Sequence, residues 1–154
     1  MAQTEIERKF LVKRIPQHLE QYPFHTLEQG YLNTDPVVRV RREDDSYYLT
    51  YKGRGFLVRE EYNLPLNADA YAHLVKKADG NIIRKKRYRI PVEGSQLTIE
   101  LDVFDTPFAP LILAEVEFES IEQAQSFIPP EWFGDDVTEN REYSNSNLSK
   151  KNFA

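Results

Sequence analysis

The 154-residue chain is 40% hydrophobic and 29% charged, with a formal net charge of −5. That length and balance fit one soluble globular domain over residues 1–154, large enough to bury its own core, and exclude a disordered chain. The acidic balance argues against a nucleic-acid partner, the absence of cysteine removes disulfides and thiolate chemistry, and no stretch resembles a membrane span or signal segment, so a cytoplasmic protein without a membrane partner is expected.

Two-residue alternation dominates the chain. The first strand is expected at 4–12, opening Glu5-Ile6-Glu7-Arg8-Lys9-Phe10. Successive side chains of an extended chain point to opposite faces, so Glu5, Glu7 and Lys9 share one face. Ile6 and Phe10 take the other, with the stem of Arg8 between them. Further strands are expected at 26–33, 37–43, 46–53, 57–64, 81–91, 96–104 and 111–119. Between them stand Asp35-Pro36, Asp44-Asp45, Gly53-Arg54-Gly55 and Glu93-Gly94-Ser95, all favourable turn chemistry. Helical spacing occurs at 69–78, where Tyr71, Leu74, Val75 and Ala78 form a stripe, at 121–127 after a Ser120 N-cap, and at about 142–151. Pro129-Pro130 stops the second helix, and the following stretch to Thr138 reads as an ordered loop anchored by Trp132. Eight consecutive strands with short connections suggest an α+β fold: an antiparallel sheet that closes on itself, with a few helices outside. An eight-stranded barrel has room inside for side chains or one small ligand.

In seven of the eight strands, all but the second, charge is gathered on one parity. In chain order these are Glu5, Glu7 and Lys9; Arg39 and Arg41; Lys52; Arg59 and Glu61; Lys85 and Arg87; Glu100 and Asp102; Glu115 and Glu117. The opposite parities are aliphatic or aromatic, for example Val38 and Val40, or Ile112, Ala114, Val116 and Phe118. Alternation alone does not say which face lies inside. Charges outward give an ordinary solvated barrel; charges inward give a wet tunnel whose apolar outside is covered by the helices. The first is the commoner outcome of such alternation, and two details narrow its margin. The acids come as i, i+2 pairs, whose repulsion a divalent cation between them would relieve. The helices also need an apolar sheet face to cover. Buried charges would demand salt bridges, water or a charged ligand. If they are inside, oxygen ligands without His or Cys point to Mg²⁺ or Mn²⁺. Bases with no acidic neighbour on their strand, at 39, 41, 52, 85 and 87, then point to phosphates, and Lys85 is read as an unpaired charge.

The ordered set resembles a known family. Glu5-Ile6-Glu7-Arg8-Lys9 is similar to the ExExK motif of the CYTH superfamily, the triphosphate tunnel metalloenzymes. Arg39-Val40-Arg41, Thr50-Tyr51-Lys52, Arg59-Glu60-Glu61, Lys85-Lys86-Arg87-Tyr88, Glu100-Leu101-Asp102 and Glu115-Val116-Glu117 follow in that family's order, from residue 4 to about 147. The resemblance implies a closed eight-stranded antiparallel β-barrel whose tunnel binds a triphosphate with divalent metal. It implies Glu5, Glu7 and Glu117 as principal metal ligands, with Glu61 and Glu115 serving a second ion. Lys9, Arg39, Arg41, Lys52, Arg59, Lys85 and Arg87 would form the triphosphate cradle. Glu100 and Asp102 would ligate metal or orient the bases. Many members carry a further Glu where this chain has Asn63.

Members include class IV adenylyl cyclases, thiamine and RNA triphosphatases, and inorganic tripolyphosphatases. This chain most resembles the compact bacterial tripolyphosphatases, including the stretch from Ile128 to Gly134. The favoured activity is therefore metal-assisted hydrolysis of tripolyphosphate to diphosphate and phosphate. The alternatives are an adenylyl cyclase, an organic triphosphatase, and a non-enzymatic polyphosphate-binding module. Tyr31, in Gln29-Gly30-Tyr31-Leu32, is a candidate for positioning or accepting a proton, or else a strand aromatic packed under a loop. Arg141, Tyr143 and Asn145 are expected to dock the last helix, covering one tunnel mouth. The protein would be a monomer or homodimer.

Three other features are set aside. Gly53-Arg54-Gly55 lacks the Lys-Ser/Thr of a phosphate loop. His18, His25 and His73 lack metal spacing. The basic run Arg84–Arg89 is split by alternation into two half-stripes.

Overall fold

The computed structural model describes residues 3–153. Its strands are β1 (Gln3–Val12), β2 (Phe24–Thr34), β3 (Val37–Glu43), β4 (Ser46–Lys52), β5 (Val58–Leu66), β6 (Asp79–Pro91), β7 (Thr98–Phe104), β8 (Ile112–Glu117) and β9 (Phe133–Asp136). The helices are α1 (Ala68–Val75), α2 (Ile121–Ser126) and α3 (Asn145–Lys150). Side-chain oxygens of Asn67, Ser120 and Ser144 cap the three helices, accepting from the amides of Ala70, Gln123 and Asn147. No helix among the described residues is long and apolar enough to cross a membrane.

The sheet runs β5-β4-β3-β2-β6-β7-β8-β1 and closes through β1–β5, every pairing antiparallel. This is the expected eight-stranded barrel. A ninth strand departs from the expected loop after Pro130. β5 pairs only with the first residues of β1, from Gln3↔Glu61 to Ile6↔Val58, and then leaves that edge. β9 takes it over, with Phe10↔Asp136 and Val12↔Phe133 in register. Two further bonds continue the seam: Val137 donates its amide to the Lys9 carbonyl at 2.8 Å, and the Lys9 amide donates to Thr138 Oγ1 at 3.0 Å. A free edge on β1 would otherwise present unmatched amides and carbonyls.

The aliphatic parity faces outward. Phe10, Ile90, Ile99, Leu101, Ala114, Val116 and Phe118 form the main core with Ala124 of α2 and Phe133 of β9, so the molecule is packed between barrel wall and covering segment. Arg8 lies in that layer. It donates to the carbonyls of Ala124 (2.9 Å) and Phe127 (3.1 Å), pairs with Asp136 at 3.0 Å, and stacks over Phe10 at 4.9 Å. Its stem covers apolar surface while its head satisfies the end of α2. α1 packs on β2, β3 and β4; a Cβ at Gly30 would come within 2.6 Å of the Ala78 Cβ, so close approach there needs glycine. The covering is incomplete: Val58, Tyr62 and Leu64 on the outer face of β5 remain exposed.

The inward parity is charged through the middle of the barrel and apolar at one end. Ile83, Phe104 and Leu113 point inward and join Phe108 and Leu148 in a second cluster that closes that end. Asn81 fastens α3 over it, donating to the carbonyls of Leu148 (3.2 Å) and Lys151 (2.8 Å).

Candidate active site: a charged cavity inside the barrel

A cavity of about 240 Å³ occupies the barrel interior. It opens into an outer vestibule of about 480 Å³, and Glu7, Lys9, Lys52 and Arg59 line both spaces. The inner cavity brings together Glu5, Glu7, Lys9, Tyr31, Arg39, Arg41, Lys52, Arg59, Glu61, Arg87, Glu100, Glu115 and Glu117. These come from all eight strands of the barrel, β1 to β8. They meet because a closed sheet turns one parity of every strand toward a common axis.

The bases cluster first. Arg39, Arg41 and Arg87 are all buried. Arg41 donates through Nε to Gln29 Oε1 at 2.7 Å, yet its pKa is held below normal by burial and by the like charges of Arg39 and Arg87. Arg39 is in register with Tyr31 across β2–β3. Burial works against its charge, but the Tyr31 phenol beside it, then Glu5 and Glu61, keep the pKa raised. Its Nε is buried with no hydrogen-bond partner. Such an orphan donor is costly unless something anionic meets it. Arg59 donates to the Gly53 carbonyl at 3.2 Å, so the β4–β5 turn holds it.

The acids divide into two kinds. Glu115 lies 3.5 Å from Lys9 and 3.6 Å from Arg87, and against the cost of burial these cations hold its pKa well below the usual range. Glu61 is lowered to about 2: hydrogen bonding with Glu5, the Lys52 ammonium and the Asn63 amide outweigh burial. Asn63 bridges, giving Nδ2–H to Glu61 at 2.9 Å and accepting from Thr50 Oγ1 at 2.6 Å. Glu7 and Glu117 behave oppositely. Burial, then Glu115 and Glu5, push Glu7 up to about 8. Burial, then Glu5, Glu100 and Glu61, raise Glu117 as well. The Glu7 amide donates to Leu57, on the flank away from β8, at 3.1 Å. Glu7 and Glu117, which are register partners, therefore form a non-hydrogen-bonded pair, the closer kind of cross-strand contact. Two facing carboxylates with raised pKa values are short of positive charge. Glu5 beside them is contacted by Lys52 at 2.9 Å.

The fit to a divalent metal can be tested on that donor set. Among the described residues no three His, Cys, Asp or Glu side chains form a metal cage by themselves. Glu7 and Glu117, with raised pKa values, beside the orphan Nε of Arg39 and the crowded Arg41 match a different pattern. Mg²⁺-type ions keep waters and use one or two carboxylates plus substrate phosphates. The residues fit a hard cation of that kind, shared with an anionic ligand.

Lys85 departs from expectation. It is 1% exposed, does not line the inner cavity, and is not an unpaired charge: its ammonium donates to Asp102 Oδ2 at 2.6 Å. Burial lowers its pKa to about 7. Asp102 also accepts from Arg87, at 2.7 and 2.9 Å. Glu100, open to the cavity, lies 3.4 Å from Arg87 and 3.7 Å from Arg89. Gln29, buried behind Arg41, escaped the charge pattern because the inward parity of β2 carries no charge; its place beside Tyr31 on that parity was the available signal. Ser144, Asn145 and Ser146 also reach the cavity. Lys9 tethers their segment by donating to the Tyr143 carbonyl at 3.0 Å, and Arg141 stacks over Phe56 at 5.2 Å beside the vestibule.

The model of the CYTH domain matches residues 3–152. The chain belongs to the CYTH family. It is 43% identical over 150 residues to an inorganic triphosphatase of Nitrosomonas europaea, covering 95% of this chain and 97% of that one. It is 34% identical over 157 residues to an inorganic triphosphatase of Acetivibrio thermocellus, covering 97% of each. A crystal structure of an inorganic triphosphatase superposes on 96% of this chain and 95% of its own, with a TM-score of 0.73 and 37% identity. The CYTH barrel is thus the shared frame, and the family implies a divalent metal.

Proposed function

We propose that this CYTH protein hydrolyses inorganic tripolyphosphate to diphosphate and phosphate, with Mg²⁺ or Mn²⁺. One observation carries the reading. In a single 240 Å³ cavity, the orphan Nε of Arg39 and the charge-crowded Arg41 share the space with Glu7 and Glu117, whose raised pKa values mark too little positive charge. The size supports an inorganic chain, since pockets for larger organic ligands run from about 300 to 1,000 Å³ and are mostly apolar. The names of the relatives from Nitrosomonas europaea and Acetivibrio thermocellus support the same substrate class.

In this reading Lys9, Arg39, Arg41, Lys52, Arg59 and Arg87 hold the phosphate oxygens through charge-assisted hydrogen bonds. Glu5, Glu7 and Glu117 would hold the divalent ion, which when bound neutralises phosphate charge and acidifies water. Glu61 and Glu115 act as counter-charges for Lys52, Lys9 and Arg87 and not as ligands of a second ion. The water oxygen bonds to the terminal phosphorus as its bridging P–O bond breaks, and diphosphate leaves. The arginines stabilise the charge that builds on those oxygens. Tyr31, beside Arg39, orients that guanidinium and is a station for a proton.

Product chromatography with tripolyphosphate, ATP and thiamine triphosphate, each with Mg²⁺ and with Mn²⁺, tests this. Phosphate and diphosphate from tripolyphosphate, lost in Glu7→Gln or Glu117→Gln variants that still fold, are expected. Cyclic AMP and pyrophosphate from ATP, or tight binding of tripolyphosphate without product, would refute it.

A further inference from the structure

We propose that Asp102 is a positioning residue: paired with Lys85 in the barrel wall, it fixes the Arg87 guanidinium so that its remaining edge faces the cavity. The proposal rests on the tripolyphosphate reading above for its substrate and on hydrogen-bond geometry for everything else. Arg87 and Asp102 are register partners on β6 and β7, and Lys85 lies two residues along β6 on the same parity. Asp102 Oδ1 accepts from Arg87 Nε at 2.7 Å, and Oδ2 accepts from Arg87 Nη2 at 2.9 Å. This is a two-point fork, which fixes the guanidinium plane as one contact cannot. The short Lys85 contact, 2.6 Å, falls on the same Oδ2.

The other edge of Arg87 is held loosely. Nη1 is 3.4 Å from Glu100, and Nη2 is 3.6 Å from Glu115, both beyond good hydrogen-bond length. An incoming phosphate oxygen therefore competes with weak contacts on the cavity side, while the Asp102 side stays clamped. Lys85 occupies the boundary between the charged cavity and the apolar end of the barrel. Its ammonium sits 5.1 Å from the Phe104 ring, its side chain has no exposure, and it does not line the inner cavity. Two cations share one buried carboxylate, so Lys85 steadies Asp102 and does not reach the substrate.

Turnover of tripolyphosphate and its calorimetric binding without added metal, measured on the whole protein and on variants, separate the roles. Asp102→Asn should raise KM and Kd about tenfold, the effect of losing a charge-assisted contact, with kcat much less changed. Lys85→Met should shift KM less than about threefold because the Arg87 fork survives. On an Arg87→Met background Asp102→Asn should add nothing, since its effect passes through Arg87. If Asp102→Asn does not fold, the Asp102→Asn/Lys85→Met double variant, which restores charge balance, should fold and show the raised KM. A wild-type KM in either Asp102 variant, a Lys85→Met effect as large as that of Asp102→Asn, or multiplicative Asp102 and Arg87 effects would overturn the proposal. Binding without turnover in the wild type would remove the hydrolase reading, and the calorimetric comparison would still decide the role of Asp102.

Discussion

Glu7 and Glu61 are the same side chain in one cavity, yet their surroundings drive them apart, to about 8 and about 2. Folding therefore gives them opposite pH dependence. Glu7 binds its proton more tightly in the folded chain, so stability present below the ordinary value of 4.5 is lost as pH rises toward 8. Glu61 and Glu115 contribute above the ordinary carboxylate range and lose that contribution on acidification. Lys85, lowered to about 7, opposes Glu7 only above that pH, where folding favours the neutral amine. Thermal scans of the ligand-free protein should show Tm falling between pH 5 and pH 8, and Glu7→Gln should flatten the fall. Mg²⁺ or Mn²⁺ should raise Tm more at pH 8 than at pH 5, because it needs the ionised carboxylate; equal shifts at both pH values would contradict Glu7 as a ligand. Arg39 gives a second contrast. Its orphan Nε costs the empty fold, but Tyr31, Glu5 and Glu61 favour its charge there, so Arg39→Met should change Tm by only about a few degrees while weakening tripolyphosphate binding about tenfold or more. Calorimetry beside thermal melting checks both halves.

At the scale of elements, Arg8 joins β1 to α2 and β9 through three partners and an aromatic ring. Arg8→Met should cost about 1–3 kcal/mol in urea unfolding, since carbonyls at the end of α2 lose their donor; an unchanged midpoint would show that water replaces it. Strands β1–β8 and the cap at Ser120 were legible because alternation and capping chemistry are local; the last helix was expected from about residue 142 and begins at Asn145, after a Ser144 cap. β9 was not. Four residues after Pro129-Pro130 carry too little pattern, and their pairing exists only because β5 leaves the edge of β1 beyond Ile6. That is a fact of closure geometry, invisible to any single segment.

For the molecule as a whole, parity told which residues share a face, and the resemblance to the CYTH family, more than the acid pairs, turned that face inward. Depth along the axis was beyond it. Ile83, Lys85 and Arg87 alternate identically on β6, yet the first plugs the barrel, the second is sealed against Asp102, and only the third reaches the cavity. Neighbours on other strands set those levels through strand stagger. The expected apolar outside was also only partly covered, with Tyr62 and Leu64 left bare on β5. The inward charges make the interior a place where anion and cation are each wanted, and tripolyphosphate with a divalent ion would satisfy both. A crystal structure of the Glu7→Gln variant grown with tripolyphosphate tests this most directly. Phosphates lying inside the barrel against Arg39, Arg41 and Arg87 are the expected result; an empty barrel, with tripolyphosphate bound only on the outer surface, would contradict it.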